Sequence, residues 1–169
     1  IHYRNEQGNL RSLSSNNVRA IYEDHRGVLW IGTGLFWENN NDGGLNRFDR
    51  NTGTFTRYLS DPKNPHSLIN NKVRAIFEDS RGTFWVGTSG DGLHTMDRST
   101  GSFERHFYNP AKSDELSRYK LKDGYDHITF INEDSTGAIW IGTEGAGISR
   151  YDPVTKKIIH YQASNGFPD

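Results

Sequence analysis

The stretch VRAIYEDHRGVLWIGT, residues 18–33, recurs as VRAIFEDSRGTFWVGT at 73–88 and as ITFINEDSTGAIWIGT at 128–143. A second word follows each copy: GLNRFDRNTGTF at 44–55, GLHTMDRSTGSF at 92–103 and GISRYDPVTKKI at 147–158. Trp30, Trp85 and Trp140 hold the same place in the three units and lie 55 residues apart. The interval is not the true period. From Thr33 to Gly44 is eleven residues, whereas Thr88 to Gly92 and Thr143 to Gly147 are four each, so the first unit carries seven extra residues. Phe55 to Val73 is 18 residues and Phe103 to Ile128 is 25, so a second insertion of seven precedes the third unit. The repeat is therefore 48 residues long, interrupted twice.

Each unit holds four short apolar segments separated by turn residues, with no room for a helix of ordinary length. They are expected as strands A (VRAIYED), B (VLWIGT), C (GLNRFD) and D (TFTRYL), with equivalents in the other copies. Asp24/Gly27, Asp79/Gly82 and Asp134/Gly137 mark the A–B turns: the carboxylate accepts turn amides and the glycine supplies a positive φ. Four antiparallel strands at such a period are the blade of a β-propeller, an all-β fold. The repeated tryptophans then pack between blades, and the glycine of each Gly-Thr lets two sheets approach closely. The units are expected as blades over 18–59, 73–108 and 127–162 of one propeller-type domain. Residues 1–17 are expected to hold the last strand of a preceding blade, IHYR at 1–4, and a connecting loop.

Bulk properties are compatible with this. Apolar residues make up 33% of the 169, clustered in short runs, and aromatics 12%, enough for a packed core. Twenty basic and 21 acidic residues leave a formal net charge of −1, so no overall field favours nucleic acid. No apolar run reaches the ~20 residues of a membrane span. No secretion signal opens the chain, which reads as a segment with no direct membrane contact of its own. Cysteine is absent, which excludes disulfides and thiolate metal sites.

The two words together, with HSLINNKVRAIFEDSRGTFWVGT and the terminal NGFPD, resemble the two-component regulator propeller repeat. The resemblance covers essentially the whole chain. It implies the periplasmic sensor region of a hybrid two-component histidine kinase, detecting glycans or their breakdown products, with any kinase activity in parts outside this segment. Propellers close with about four to eight blades. Three complete ones imply an incomplete ring, or one completed by the rest of the sensor chain or a second copy through exposed blade edges.

If strand A runs from an upper face to a lower one, the B–C and D–A loops lie above, and both insertions share that face. Function on a repeat scaffold concentrates where the repeat is broken. The first insertion offers Phe36 and Trp37 beside Glu38 and Asn39. Aromatic faces rimmed by amides and carboxylates suit sugar rings, whose C–H faces stack while their hydroxyls take hydrogen bonds. The same aromatics also fit a loop plug or a contact with another chain. The second insertion adds Arg118, Tyr119, Lys120 and Tyr125. Arg19 and Arg74 take equivalent places early in strand A, positioned for an anion, where the third copy has Thr129. Pairing with nearby acids is the more ordinary role for them.

The seven histidines form no spaced pair typical of zinc ligands, and neither a metal nor another cofactor is expected. No nucleophile–histidine arrangement is visible from spacing. The expected function is non-catalytic sensing of an oligosaccharide or other small ligand. A second reading is a propeller enzyme similar to the streptogramin lyases, whose blades continue Trp-Phe-Thr-Glu where all three copies here read Trp-Ile/Val-Gly-Thr. A third is a protein-interaction or dimerisation scaffold.

Overall fold

A computed structural model describes residues 1–35, 37, 41–90, 92–106 and 127–161. Twelve strands form three four-stranded antiparallel sheets among the described residues. Blade 1 comprises β1 (Val18–Glu23), β2 (Leu29–Thr33), β3 (Gly44–Asp49) and β4 (Thr54–Tyr58), paired in chain order. Blade 2 comprises β5 (Val73–Glu78), β6 (Phe84–Thr88), β7 (Gly92–Asp97) and β8 (Ser102–His106). Blade 3 comprises β9 (His127–Glu133), β10 (Ile139–Glu144), β11 (Ile148–Asp152) and β12 (Lys157–Tyr161). These are propeller blades, and their first strands β1, β5 and β9 lie side by side.

The repeated aspartate sets each A–B turn. Asp24 Oδ1 accepts the Arg26 and Val28 amides at 3.0 and 2.9 Å, and its Oδ2 accepts Trp30 Nε1 at 2.9 Å. Asp79 and Asp134 repeat the pattern on Trp85 and Trp140. Gly27, Gly82 and Gly137 sit at φ of 74°, 83° and 81°, where a side chain is strained. One carboxylate thus closes the turn and fixes the indole six residues on.

Packing alternates across each strand, so every blade has a leading face toward the preceding blade and a trailing face toward the next. Between blades 1 and 2, Trp30 packs with Val73, Ile76, Phe84, Val86 and Phe103. Between blades 2 and 3, Trp85 packs with Ile128, Ile131, Ile139 and Ile141. The blades approach closely at glycines: a Cβ on Gly32 would lie 2.7 Å from Val73 Cγ1, and one on Gly87 would collide with Ile128. Trp30 and Trp85 are 2% and 3% exposed. Trp140, expected in the core like them, is only partly buried, because no further blade covers it among the described residues; it stacks on Tyr161 instead.

Residues 1–4, expected as the last strand of a preceding blade, form no strand. Tyr3 packs edge-on against Phe48 and Phe55 on the leading face of blade 1. The segment that follows is ordered by the blade it precedes. Phe55 N donates to Arg11 O, and Arg57 donates to the carbonyls of Asn9, Ser12 and Leu13. Blade 2 repeats this with Phe103, His66, Arg105, Asn64, Ser67 and Leu68.

Candidate functional site

The antiparallel order puts the B–C and D–A loops at one end of the sheets, and hydrogen bonds tie them together there. Asn71 Nδ2, in the D–A loop ahead of blade 2, donates to the carbonyl and side-chain oxygens of Asn41 in the B–C loop of blade 1 at 2.8 and 3.0 Å. Lys72 Nζ donates to Asp42 O at 3.0 Å. Asn71 also braces its own loop, accepting the Ser60 amide at 2.6 Å. Asn41 and Asp42 at the end of the B–C loop therefore stand on the neighbouring blade's entry loop.

Arg19 and Arg74 reach this face through a device the sequence reading missed. Val18 pairs with Thr33 and Ala20 with Gly32, which leaves Arg19 as the extra residue of a β-bulge; Arg74 sits in the same bulge between Val73 and Ala75, and Thr129 in its counterpart. A bulge re-aims the unpaired side chain, and such features gather at functional edges. Nothing in the local sequence signals it, since the shift arises from pairing with strand B.

The two arginines do different things. The Arg19 guanidinium lies 5.0 Å from the centroid of the Trp37 ring, a cation–π contact. Trp37 is 61% exposed, against 2% and 3% for Trp30 and Trp85. Arg74 Nη1 donates to Glu144 Oε2 of blade 3 at 2.7 Å, and that bond holds the Glu144 carboxyl below its ordinary value. Of the expected site residues, the structure joins Arg19 to Trp37 and pairs Arg74 with an acid one blade away. Phe36, Glu38, Asn39, Arg118, Tyr119, Lys120 and Tyr125 lie outside the described residues.

On the opposite face the adjacent acids Glu23-Asp24, Glu78-Asp79 and Glu133-Asp134 have separate tasks. Each aspartate serves its own turn; Glu78 and Glu133 reach back to the preceding blade. Glu78 Oε2 accepts the His25 amide at 2.8 Å, and Glu133 Oε2 accepts the Ser80 amide at 2.7 Å. Arg98 bridges Glu78 and Asp24 from the C–D turn of blade 2, with side chains 10%, 3% and 1% exposed. Burial raises the Glu78 pKa, but the bonds from Arg98 and the His25 amide outweigh it and leave the carboxyl below its ordinary value. These acids are structural.

Two open hollows, of about 670 and 550 Å³, lie elsewhere, along β4 with Arg11 and Phe55 and along β8 with His66 and Phe103. They occupy matching places in two blades and follow from the repeat. Among the described residues no group of three or more His, Asp or Glu is placed to hold a metal ion.

Residues 12–34 and 67–90 match the model of the two-component regulator propeller. Those two segments, running into the first two strands of blades 1 and 2, are similar to the two-component regulator propeller repeat. Among solved structures it is similar to the extracellular domain of BT3049 from B. thetaiotaomicron, described as a hybrid two component system: 26% identity, TM-score 0.72, over 96% of this chain and 20% of that one. It is similar in fold to the extracellular domain of BT4673 from the same organism, described as a one component system, at 24% identity and TM-score 0.65, covering 92% of this chain and 20% of that one. A third fold relative is PorZ, an essential surface component of the type-IX secretion system of Porphyromonas gingivalis, at 15% identity and TM-score 0.62, over 90% and 22%. The repeat segment thus spans about a fifth of the structures it resembles. No curated protein matches the chain.

Proposed function

We propose that this repeat segment is a non-catalytic ligand-sensing part of an extracytoplasmic, periplasmic two-component sensor, and that glycan-derived ligands meet it on the face carrying the first insertion. The carrying observation is Trp37. It alone of the four tryptophans stands outside the repeat, it is 61% exposed, and Arg19 holds one side of its ring. An indole braced by a guanidinium on a rigid strand offers a flat apolar face at little ordering cost, with a cation beside it for ligand hydroxyls or carboxylates. Similarity to the extracellular domain of a hybrid two component system supports the sensor reading.

Isothermal titration of the chain with acidic and neutral oligosaccharides tests it. At least one member of the panel binds, and Trp37→Ala weakens that binding about tenfold, the worth of one aromatic contact. The exposed position of Trp37 leaves the fold intact in this variant. Failure of every oligosaccharide to bind, or full affinity in Trp37→Ala, overturns the proposal.

A further inference from the structure

The junction between blades 1 and 2 and that between blades 2 and 3 follow the same plan, and at the insertion face they differ in a charged part. Arg74, the extra residue of the β5 bulge, gives Nη1 to Glu144 Oε2 of the next blade at 2.7 Å. Glu144 follows Thr143, and Ser89 follows Thr88. Thr143 pairs with Ile128 as Thr88 pairs with Val73, so Glu144 and Ser89 hold the same register in blades 3 and 2. One blade back, the step that leads from Arg74 to Glu144 therefore leads from Arg19 to Ser89.

Serine brings no charge to that place. Ser89 is 5% exposed, and its Oγ has no hydrogen-bond partner among the described residues. No carboxylate among the described residues pairs with Arg19, whose guanidinium lies against Trp37. The chain thus supplies the acid for the arginine of one bulge and a small neutral residue for the arginine of the other. A carboxylate from outside fits what is left out: it accepts two parallel N–H bonds from a guanidinium, and charge-assisted bonds of this kind are about twice as strong as those a neutral hydroxyl makes. The bulge and the indole already hold the Arg19 side chain, which lowers the ordering cost of such a pair. Arg74 is no rival for the same group, because a ligand there would have to displace the Glu144 carboxylate, which that bond holds below its ordinary value and keeps charged at neutral pH.

We infer that the ligand of this face carries a carboxylate, which pairs with the Arg19 guanidinium as Glu144 pairs with Arg74, while an adjoining sugar ring lies on Trp37. The inference rests on the sensing reading proposed above and narrows its ligand from glycans in general to uronate-bearing ones.

Isothermal titration of the chain with trisaccharides of galacturonate, glucuronate and mannuronate, each beside its own methyl ester, tests the inference. At least one acid is expected to bind about tenfold more tightly than its ester at low salt. That advantage shrinks in about 1 M salt, where the screening length falls to ~3 Å. Arg19→Gln, a change at an exposed position, is expected to bring the acid down to the affinity of its ester, with an unchanged circular-dichroism spectrum. An ester that binds as tightly as its acid, an acid preference that survives Arg19→Gln, or binding confined to neutral oligosaccharides overturns this inference and leaves the sensing reading standing. Failure of every saccharide, acidic and neutral, overturns both.

Discussion

Arg98 Nη1 donates to Asp24 Oδ2 at 2.8 Å, joining the C–D turn of blade 2 to the A–B turn of blade 1. The same oxygen accepts Trp30 Nε1, so one carboxylate organises a turn, an indole and the neighbouring blade. Arg98 also lies 5.0 Å from the Phe84 ring centroid and bonds Glu78. Replacing it with methionine keeps the apolar stem and removes the charge, leaving two buried carboxylates without their cation. Arg98→Met is expected to cost about 3 kcal/mol in urea unfolding. Arg50→Met, whose ion pair with Glu23 is more than half exposed, is expected to cost under about 0.5 kcal/mol.

Acid stability follows from the same carboxylates. Asp24 and Glu78 are lowered from their ordinary values of 3.8 and 4.5, and Asp97, held by the Ser99 hydroxyl and amide and by Thr100, is lowered to about 2. A carboxylate depressed on folding stabilises fully above its unfolded value, and that contribution is lost as pH falls through the folded one. Stability is therefore expected to be flat above about pH 5 and to fall steadily below pH 4.5, read as urea midpoints from pH 7 to pH 2. In Arg98→Met the acid decline is shallower, since Glu78 loses the bond that lowers it and less stability is left to lose on acidification.

Glycine at the blade contact can be tested by contrast. Gly32→Ala places a methyl 2.7 Å from Val73 Cγ1 and 3.0 Å from its carbonyl oxygen, and the backbone has to move. The expected cost is about 1–3 kcal/mol, measured by thermal or urea unfolding. The nearest atoms a Gly142→Ala methyl meets belong to the ring of Phe130, a side chain with solvent to move into, and the change is expected to cost distinctly less.

His94 is fully buried, accepting the Ile69 amide on Nε2 at 3.1 Å with Nδ1 3.2 Å from Val86 O. Asn46 does the same work in blade 1, accepting the Ser14 amide and donating to Ile31 O. His94→Leu removes the acceptor of the half-buried Ile69 amide and the ring partner of the Val86 carbonyl, an expected loss of about 1–3 kcal/mol. His94→Asn is expected to recover at least half of it, and urea unfolding of the pair checks the difference.

Blade architecture was legible because each unit repeats its strand words and its Asp-x-x-Gly turn, and turn chemistry is local. The bond from Trp30 to Asp24 is local too, six residues apart in all three copies, but the sequence reading gave the aspartate only the turn amides. The double role of the Glu-Asp pairs was not legible. Neighbouring residues in a strand face opposite ways, so one acid turns inward while the other meets a blade some fifty residues away.

Trp37 was marked by sequence alone, as the tryptophan that the repeat does not account for. That Arg19 is its partner, while the equivalent Arg74 is paired to Glu144, depends on what the adjacent blade brings to the same place. The sequence thus determined the strands, the turns and which residues break the pattern, because these rest on periodicity and backbone chemistry within one unit. Only the tertiary structure decided which arginine braces the exposed indole and which acids staple the blades. Those outcomes depend on contacts between residues distant along the chain, with partners set by the docking of one sheet on another.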